Sequence, residues 1–402
     1  MSSTAKKGGF ALALVVGVIA TELCQQASFI VLPALNSLSE YYSDVPFSQI
    51  QLITTLVYLG IVPFSIISGM IAGKYIKYKN LAILSCLIIL AGGLFPVFVR
   101  DNFTLILASR LVCGIGQGLA FPLCNALITR TFKGEMQSKV LGIGVVVLNL
   151  SGVFYQTVSG WVCDSSVHYI WFVHLVLILP IILMVLFLKE PEDEEVKSVD
   201  NTTTAVSDKP HFSMRVIAIC AGFGFWFLAL YTVALNMSSI IAYNGIGTSS
   251  TAGLAGSANS VAGIVAGAVF ATLFRYLKKY VLPVGIASSI IGLALCGYAS
   301  NVPMVMISQF CVGFATFTVS TVIAHDFGAI VAPSGLALAN GILAAVWNFS
   351  AFLTTYFIAI VSNLTKTDNP AVPVRVGMWA ALIVGIIWII FRMMRPKNLE
   401  PQ

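Results

Sequence analysis

Residues 103–129 read FTLILASRLVCGIGQGLAFPLCNALIT, and Arg110 is the one charged side chain in the run. A hydrocarbon core of about 30 Å takes roughly 20 helical residues to cross, so this stretch is long enough to span a bilayer. It has no period-2 alternation. In lipid every backbone N–H and C=O needs an internal partner, which a helix supplies along its own length, so a strand does not compete. The run is predicted to be a membrane helix. A charge at a helix centre in the bilayer costs at least ~2.5–3.5 kcal/mol, so Arg110 is expected to face the protein interior and to be a candidate functional group.

The same reading extends in both directions. Of the 402 residues, 58% are hydrophobic and 9% charged, against roughly 45–50% and about 25% in soluble domains. Twelve runs qualify as spans: 10–35, 48–72, 80–99, 103–129, 139–160, 169–188, 214–240, 250–274, 281–299, 303–325, 335–361 and 374–394. Lys6 and Lys7 before Phe10 resemble the start of a signal peptide. The apolar run, however, continues to Leu35 without a convincing cleavage site, so it is read as the first span. The net charge of +6 is scattered between apolar runs and forms no basic patch interleaved with aromatics, so nucleic acid is not an expected partner. The eight cysteines form no Cys-x-x-Cys or His-adjacent ligand spacing, and no metal or other cofactor is expected.

Lys and Arg are retained on the cytoplasmic side during insertion. With the N-terminus inside, eighteen basic residues fall on the cytoplasmic side and three, Arg100, Lys366 and Arg375, on the other, so both termini are placed in the cytoplasm. Residues 189–213, with Glu190, Glu192, Asp193, Glu194 and Glu195, are too polar to pack and are read as a cytoplasmic linker. It separates a six-helix bundle at 1–188 from a second at 214–402. A shift of 199 residues lays Ser109 on Ser308, Arg110 on Gln309, Gly114 on Gly313, Asn149 on Asn348 and Ser151 on Ser350. A shift of 198 lays Gly69 on Gly267, Lys77 on Arg275 and Tyr78 on Tyr276. The near-equal offsets imply a duplicated unit, and repeated halves place a binding site at the midplane between them.

The run from Arg110 through Gly114, Gly116 and Gly118, followed by Pro122, resembles the fourth-helix signature of the major facilitator superfamily. Gly160-Trp161 fits as well, and Thr21-Glu22-Leu23 with Leu32-Pro33 resembles the drug- and sugar-efflux branch in the first helix. The resemblance covers essentially the whole chain. It implies an all-α membrane protein of twelve helices in two six-helix repeats that works as a secondary transporter. It also implies a cytoplasmic gate at Gly69, Lys74 and Lys77, although Gly73 stands where the family pattern has an acid and Ile76 where it has a second glycine. Tyr155-Gln156 replaces the Gly-Pro of the antiporter signature.

Glu22 and Arg110 are the charged residues deep within the predicted spans, and rise per residue puts both at similar depth. The functional reading pairs them, with Glu22 as the proton site and Arg110 as its switchable partner. The structural alternative is a static ion pair fixing the first span to the fourth. Helical spacing gathers further polar groups onto inward stripes: Gln25 and Gln26; Tyr58; Gln117; Asn149, Tyr155 and Gln156; Gln309; and Asn348. Trp226 and Asn236 add aromatic and amide contacts. With Arg110 these form the expected substrate cavity, suited to a small organic solute with a polar or anionic group better than to a bare metal ion. His174 is expected to be structural.

No phosphate-binding loop is present to drive transport with ATP, and no nucleophile, metal set or carboxylate pair at membrane depth suggests an enzyme. The expected function is secondary transport of a small organic solute by alternating access across the cytoplasmic membrane, coupled to protons. The alternative is an organic-anion uniporter or exchanger in which Arg110 binds the substrate. The expected partners are the substrate and the lipid bilayer, and the expected state is a monomer.

Overall fold

The computed structural model describes residues 12–191, 214–331 and 333–393. The termini and most of the expected linker, residues 192–213, lie outside the described residues. No strand occurs among the described residues beyond an isolated bridge between Ala72 and Ile76. The helices are α1, in two segments Leu12–Cys24 and Ala27–Tyr41; α2, Phe47–Ile71, and α3, Tyr78–Leu94; α4, Phe103–Thr131; α5, Gly134–Ser165; and α6, Val167–Phe187. Then follow α7, Met214–Tyr243, α8, Ser249–Leu277, and α9, Val281–Gly297; and α10, Val302–Ile330, α11, Pro333–Thr365, and α12, Ala371–Met393. By length and apolarity ten described helices can cross a membrane, or eleven if the bent α1 is one crossing. In that count α8 and α9 form one stretch of 49 residues, Ser249–Gly297.

The first span, expected over 10–35, is broken near its middle. The two segments of α1 meet at 47°, and the backbone between them tightens into 3-10 turns at Glu22–Cys24, Ala27–Ile30 and Leu32–Ala34. Pro33 contributes, because its ring carries no N–H and clashes with the carbonyl four residues back. A break in the bilayer is tolerated only where neighbours satisfy the freed backbone groups. They do so here. The Tyr155 hydroxyl donates to Leu23 O at 2.6 Å, Gln117 Nε2 to Gln25 O at 3.2 Å, Ser238 Oγ to Pro33 O at 2.9 Å, and the Ser159 hydroxyl to Ile30 O.

The duplicated pattern in the sequence has a counterpart in packing. A Cβ on Gly92 of α3 would meet Ser109 O and Cys113 N of α4, at 2.8 and 3.0 Å. One on Gly292 of α9 would meet Ser308 O and Val312 N of α10, at 3.0 and 3.1 Å. The offset of 199–200 residues thus relates the α3–α4 contact to the α9–α10 contact, in which only glycine lets the backbones approach so closely.

Contacts between α1–α6 and α7–α12 gather toward one end of the bundle. There Ser37 meets Ser249 at 3.0 Å, Thr55 meets Thr355 at 2.9 Å, and Thr157 meets Ser257 at 2.7 Å. Gly160 of α5 lies against Ser249 and Gly253 of α8. Val31, Leu35, Leu38, Ile50 and Ile53 form a buried apolar cluster with Leu235 and Ile358. This end is sealed by hydroxyl pairs within an apolar plug. Toward the opposite end α4 carries Gln117, Phe121, Asn125 and Thr129 four residues apart on one face, the last three exposed, so a polar stripe runs outward from the interior.

Candidate functional site

Below the seal, a cavity of about 320 Å³ lies between the two groups of helices. The Tyr58 hydroxyl of α2 meets that of Tyr231 of α7 at 2.7 Å, placing this aromatic pair in the cavity wall. Eight of the twelve residues expected to contact substrate line it: Gln25, Gln26, Tyr58, Gln117, Asn149, Gln156, Gln309 and Asn348. Their common signal is a polar side chain repeated along one face of an apolar helix, which must point inward.

The other four lie off the cavity wall. Arg110 is fully buried outside the cavity; its Nε donates to Ile53 O at 3.0 Å and its Nη1 lies 3.4 Å from His174 Nε2. It lies on the stripe of Gln117 but seven residues, about 10 Å, toward the sealed end. Tyr155 braces the broken α1 through Leu23 O. Trp226 donates to Ser289 Oγ at 3.1 Å behind the cavity wall, and Asn236 Nδ2 is bound to Thr232 O of its own helix at 2.9 Å. The polar residues Thr232, Asn236 and Ser239 of α7 recur on a face other than the lining one, so polarity along its sequence does not mark the side that faces inward. The lining residues Phe227, Leu230, Tyr231 and Ala234 define that face, with Trp226 and Asn236 off it.

Other lining residues were not anticipated. Asn259 and Ser260 sit in a run of small residues on α8, and Asn259 Nδ2 reaches Gln309 Oε1 at 3.3 Å. Trp347, beside Asn348, lines the cavity and packs against Phe227 with ring centroids 5.1 Å apart. Among the described residues, no Asp, Glu, Lys, Arg or His lines the cavity.

The expected ion pair between Glu22 and Arg110 is absent from this conformation: each has other partners. Glu22 is buried beside Cys124, and its Oε2 accepts from Gln25 Nε2 at 2.7 Å. Cys113 Sγ at 3.5 Å and the Trp171 ring, 5.8 Å from the guanidinium carbon, complete the surroundings of Arg110. Because guanidinium only donates, His174 Nε2 accepts and its Nδ1–H donates to Trp171 O at 3.0 Å. The histidine is therefore neutral and fixes the guanidinium. The expected gate residues lie at the end opposite the seal. Lys74 sits over the Tyr75 ring at 5.2 Å, Lys77 is exposed, and the space around Gly69 is open. The helix after this loop is capped from elsewhere: Glu190 accepts from Tyr78 N and Lys79 N at 2.7 and 2.9 Å. An acid at a helix N-terminus satisfies its free N–H groups and its dipole.

Comparison with known proteins agrees with this architecture. Over 149 residues, 37% of this chain, it is 26% identical to the multidrug efflux pump SdrM of Staphylococcus aureus. Over 174 residues, 42% of the chain, it is 28% identical to YfiU of Bacillus subtilis, an uncharacterized MFS-type transporter. The match spans about a third of the length of each relative, 33% in both cases. Among solved structures, the nucleoside transporter NupG superposes with a TM-score of 0.75 at 12% identity, over 96% of this chain and all of that one. A bacterial homolog of the human lysosomal transporter Spinster, inward-facing and unoccupied, gives 0.72 at 13% identity over 96% of both chains. These two likenesses establish the fold. Residues 14–246 match the profile of the Major Facilitator Superfamily, and the chain belongs to that family as a multi-pass membrane protein.

Proposed function

We propose that the protein is a secondary active transporter that moves a small, uncharged organic solute by alternating access, coupled to protons through Glu22. The observation that carries this reading is the cavity: closed at one end, lined by amides, hydroxyls and aromatics among aliphatic side chains, with no charged residue among the described residues that line it. An organic anion would leave its charge without a cation in that lining, which disfavours the exchanger alternative with Arg110 as anchor. Glu22 is separated from the cavity by one side chain, Gln25, which lines the wall while donating to the carboxylate. Protonation of Glu22 is thereby linked to the position of a substrate-facing group.

In the same reading the chain crosses the membrane twelve times. α8 and α9 are read as two crossings because both pack against the same stretch of α10: Asn259 of α8 lies against Gly313, and Gly292 of α9 against Ser308 and Val312. The crossings fall into six-helix halves at 1–188 and 214–402 joined by a cytoplasmic linker at 189–213, with both termini cytoplasmic. The side holding Lys74 and Lys77 is then cytoplasmic, and the seal faces outward. The protein acts as a monomer, with solute and bilayer as its partners.

The test is proton movement in proteoliposomes containing an internal pH dye, with pooled neutral solutes, organic acids and amines, comparing wild type with Glu22→Gln. The expected outcome is solute-dependent proton flux in wild type that Glu22→Gln abolishes while solute binding persists. Solute flux without proton movement, equal in both proteins, contradicts the coupling. Flux confined to organic acids contradicts the solute class.

A further inference from the structure

Two seams between the groups of helices, α5 with α8 and α2 with α11, are counterparts in the duplication. It lays α2 on α8 through Gly69 and Gly267, and α5 on α11 through Asn149 and Asn348. The two seams are nevertheless unequal. α5 and α8 stay in contact from the seal to the cavity: Gly160 lies against Ser249 and Gly253, Thr157 meets Ser257 at 2.7 Å, Gln156 Nε2 reaches Ser260 Oγ at 3.4 Å, and Asn149 lies against Gly263. From Gly160 to Asn149 is about 16 Å of helix. Across the other seam Thr55 meets Thr355 at 2.9 Å, and below that contact the hydroxyls of Ser65 and Ser68 turn to Val62 O and Leu119 O.

One turn below Thr55 a groove of about 590 Å³ begins on the side of α2 and α11 away from the cavity. Leu59 and Val62 of α2, Leu111 and Ile115 of α4, and Ala345 and Phe349 of α11 line it, and none of its described lining residues is polar. Leu59, Leu111 and Phe349 are exposed. Leu59 is the middle residue of α2 and Phe349 the middle residue of α11, so the groove lies halfway along the spans, where hydrocarbon surrounds the protein. At the same height, on the other face of the same two helices, Tyr58, Ile61, Ala344 and Trp347 line the cavity. The α2–α11 seam separates the two spaces.

We propose that this seam is a lateral portal through which a neutral, lipophilic solute passes between the hydrocarbon core and the cavity, with the groove as its membrane-side entrance. The inference rests on the cavity being the transport site, and it narrows the solute to molecules that concentrate in the bilayer before they bind. The groove's volume falls within the roughly 300–1,000 Å³ of small-molecule sites. Its lining gives an apolar frame contact and gives a charge no partner, so the uncharged form is the one admitted. Parting α2 from α11 at this height separates apolar side chains, whereas parting α5 from α8 breaks the Thr157–Ser257 and Gln156–Ser260 contacts. The seam that parts more easily is the one that carries the groove.

The experiment uses the full chain in liposomes with a cysteine in the cavity wall, Ala344→Cys, and follows modification of the introduced thiol by peptide mass spectrometry. Two reagents are compared: N-(1-pyrenyl)maleimide, which partitions into the bilayer, and N-methylmaleimide, supplied from water to the open end. The groove is filled from α11 by Ala345→Trp and, separately, from α4 by Leu111→Trp. Filling should slow the pyrenyl reagent about fivefold or more, by raising the barrier to entry, and change the rate of the methyl reagent by less than about twofold. A pyrenyl rate unchanged in both filled variants, or labelling by the methyl reagent alone, overturns the proposal and leaves the groove as a seat for lipid chains. Labelling by neither reagent overturns it as well. So does equal slowing of both reagents in both variants, since the groove then acts on the cavity as a whole and not on one route into it. Flux of neutral solutes in liposomes holding a pH dye separates the two readings. Groove-dependent labelling without flux leaves the portal standing and removes the transport site, whereas flux with labelling indifferent to the groove does the reverse.

Discussion

Arg110 is a fully buried guanidinium without a carboxylate beside it, held by a backbone carbonyl, a thiol, a neutral imidazole and an indole ring. Its environment is one of positioning: it ties α2, α4 and α6 together above the cavity. Replacing it by an apolar side chain of similar length removes a desolvated charge but leaves His174 Nε2 without a donor, while Ile53 O keeps the bond of its own helix. The first effect is favourable and the second costs about 1–3 kcal/mol for the stranded nitrogen. Arg110→Met should therefore lower the thermal unfolding temperature while leaving the rank order of competing solutes unchanged. A changed rank order would put Arg110 in contact with the solute. Depth along the helix was legible for this residue, and its partner was not. Rise per residue fixes height in the membrane, but a sequence gives no rotation of one helix relative to another, so Glu22 was a reasonable partner where His174 is the actual one.

At the scale of elements, the seal contains an acid that looks misplaced within its own helix. Asp164 lies in the last turn of α5, at the negative end of that helix dipole. Its carboxylate accepts from Thr248 Oγ1 at 2.8 Å and Ser250 N at 3.3 Å, at the N-terminus of α8. That contact exists only while α5 and α8 are together at this end, so it favours the sealed state. An exposed acid at a helix N-terminus contributes about 0.5–1 kcal/mol, which is a two- to fivefold bias. In Asp164→Ala, a cysteine placed at Ser257, which is buried in the seam, should react about two to five times faster with a membrane-impermeant thiol reagent. An unchanged rate would show that the acid plays no part in the seal. The spans themselves were legible because apolar length alone identifies them. The break in α1 was not, despite Pro33, because it depends on Tyr155, Ser159, Gln117 and Ser238 arriving from three other helices to satisfy freed carbonyls.

For the whole molecule, the decisive feature is a cavity between α1–α6 and α7–α12 of the described residues, closed on one side by hydroxyl pairs and led out on the other by the exposed face of α4. Its amides were legible, since Gln117, Asn149, Gln309 and Asn348 are polar interruptions on apolar faces. Its lack of lining charge was not, because that depends on where along their stripes Glu22 and Arg110 fall relative to the seal. Alternating access requires the two ends to open in opposition around this cavity. Seven of the eight cysteines are buried, so spin labels can be directed to introduced exposed cysteines. The most direct test is double electron–electron resonance with one label pair per end: Asp44→Cys with Ser300→Cys at the sealed end, and Lys74→Cys with Tyr276→Cys at the other. On adding a transported solute, the first distance should lengthen as the second shortens. Two distances that stay fixed, or that change in the same direction, would contradict the account.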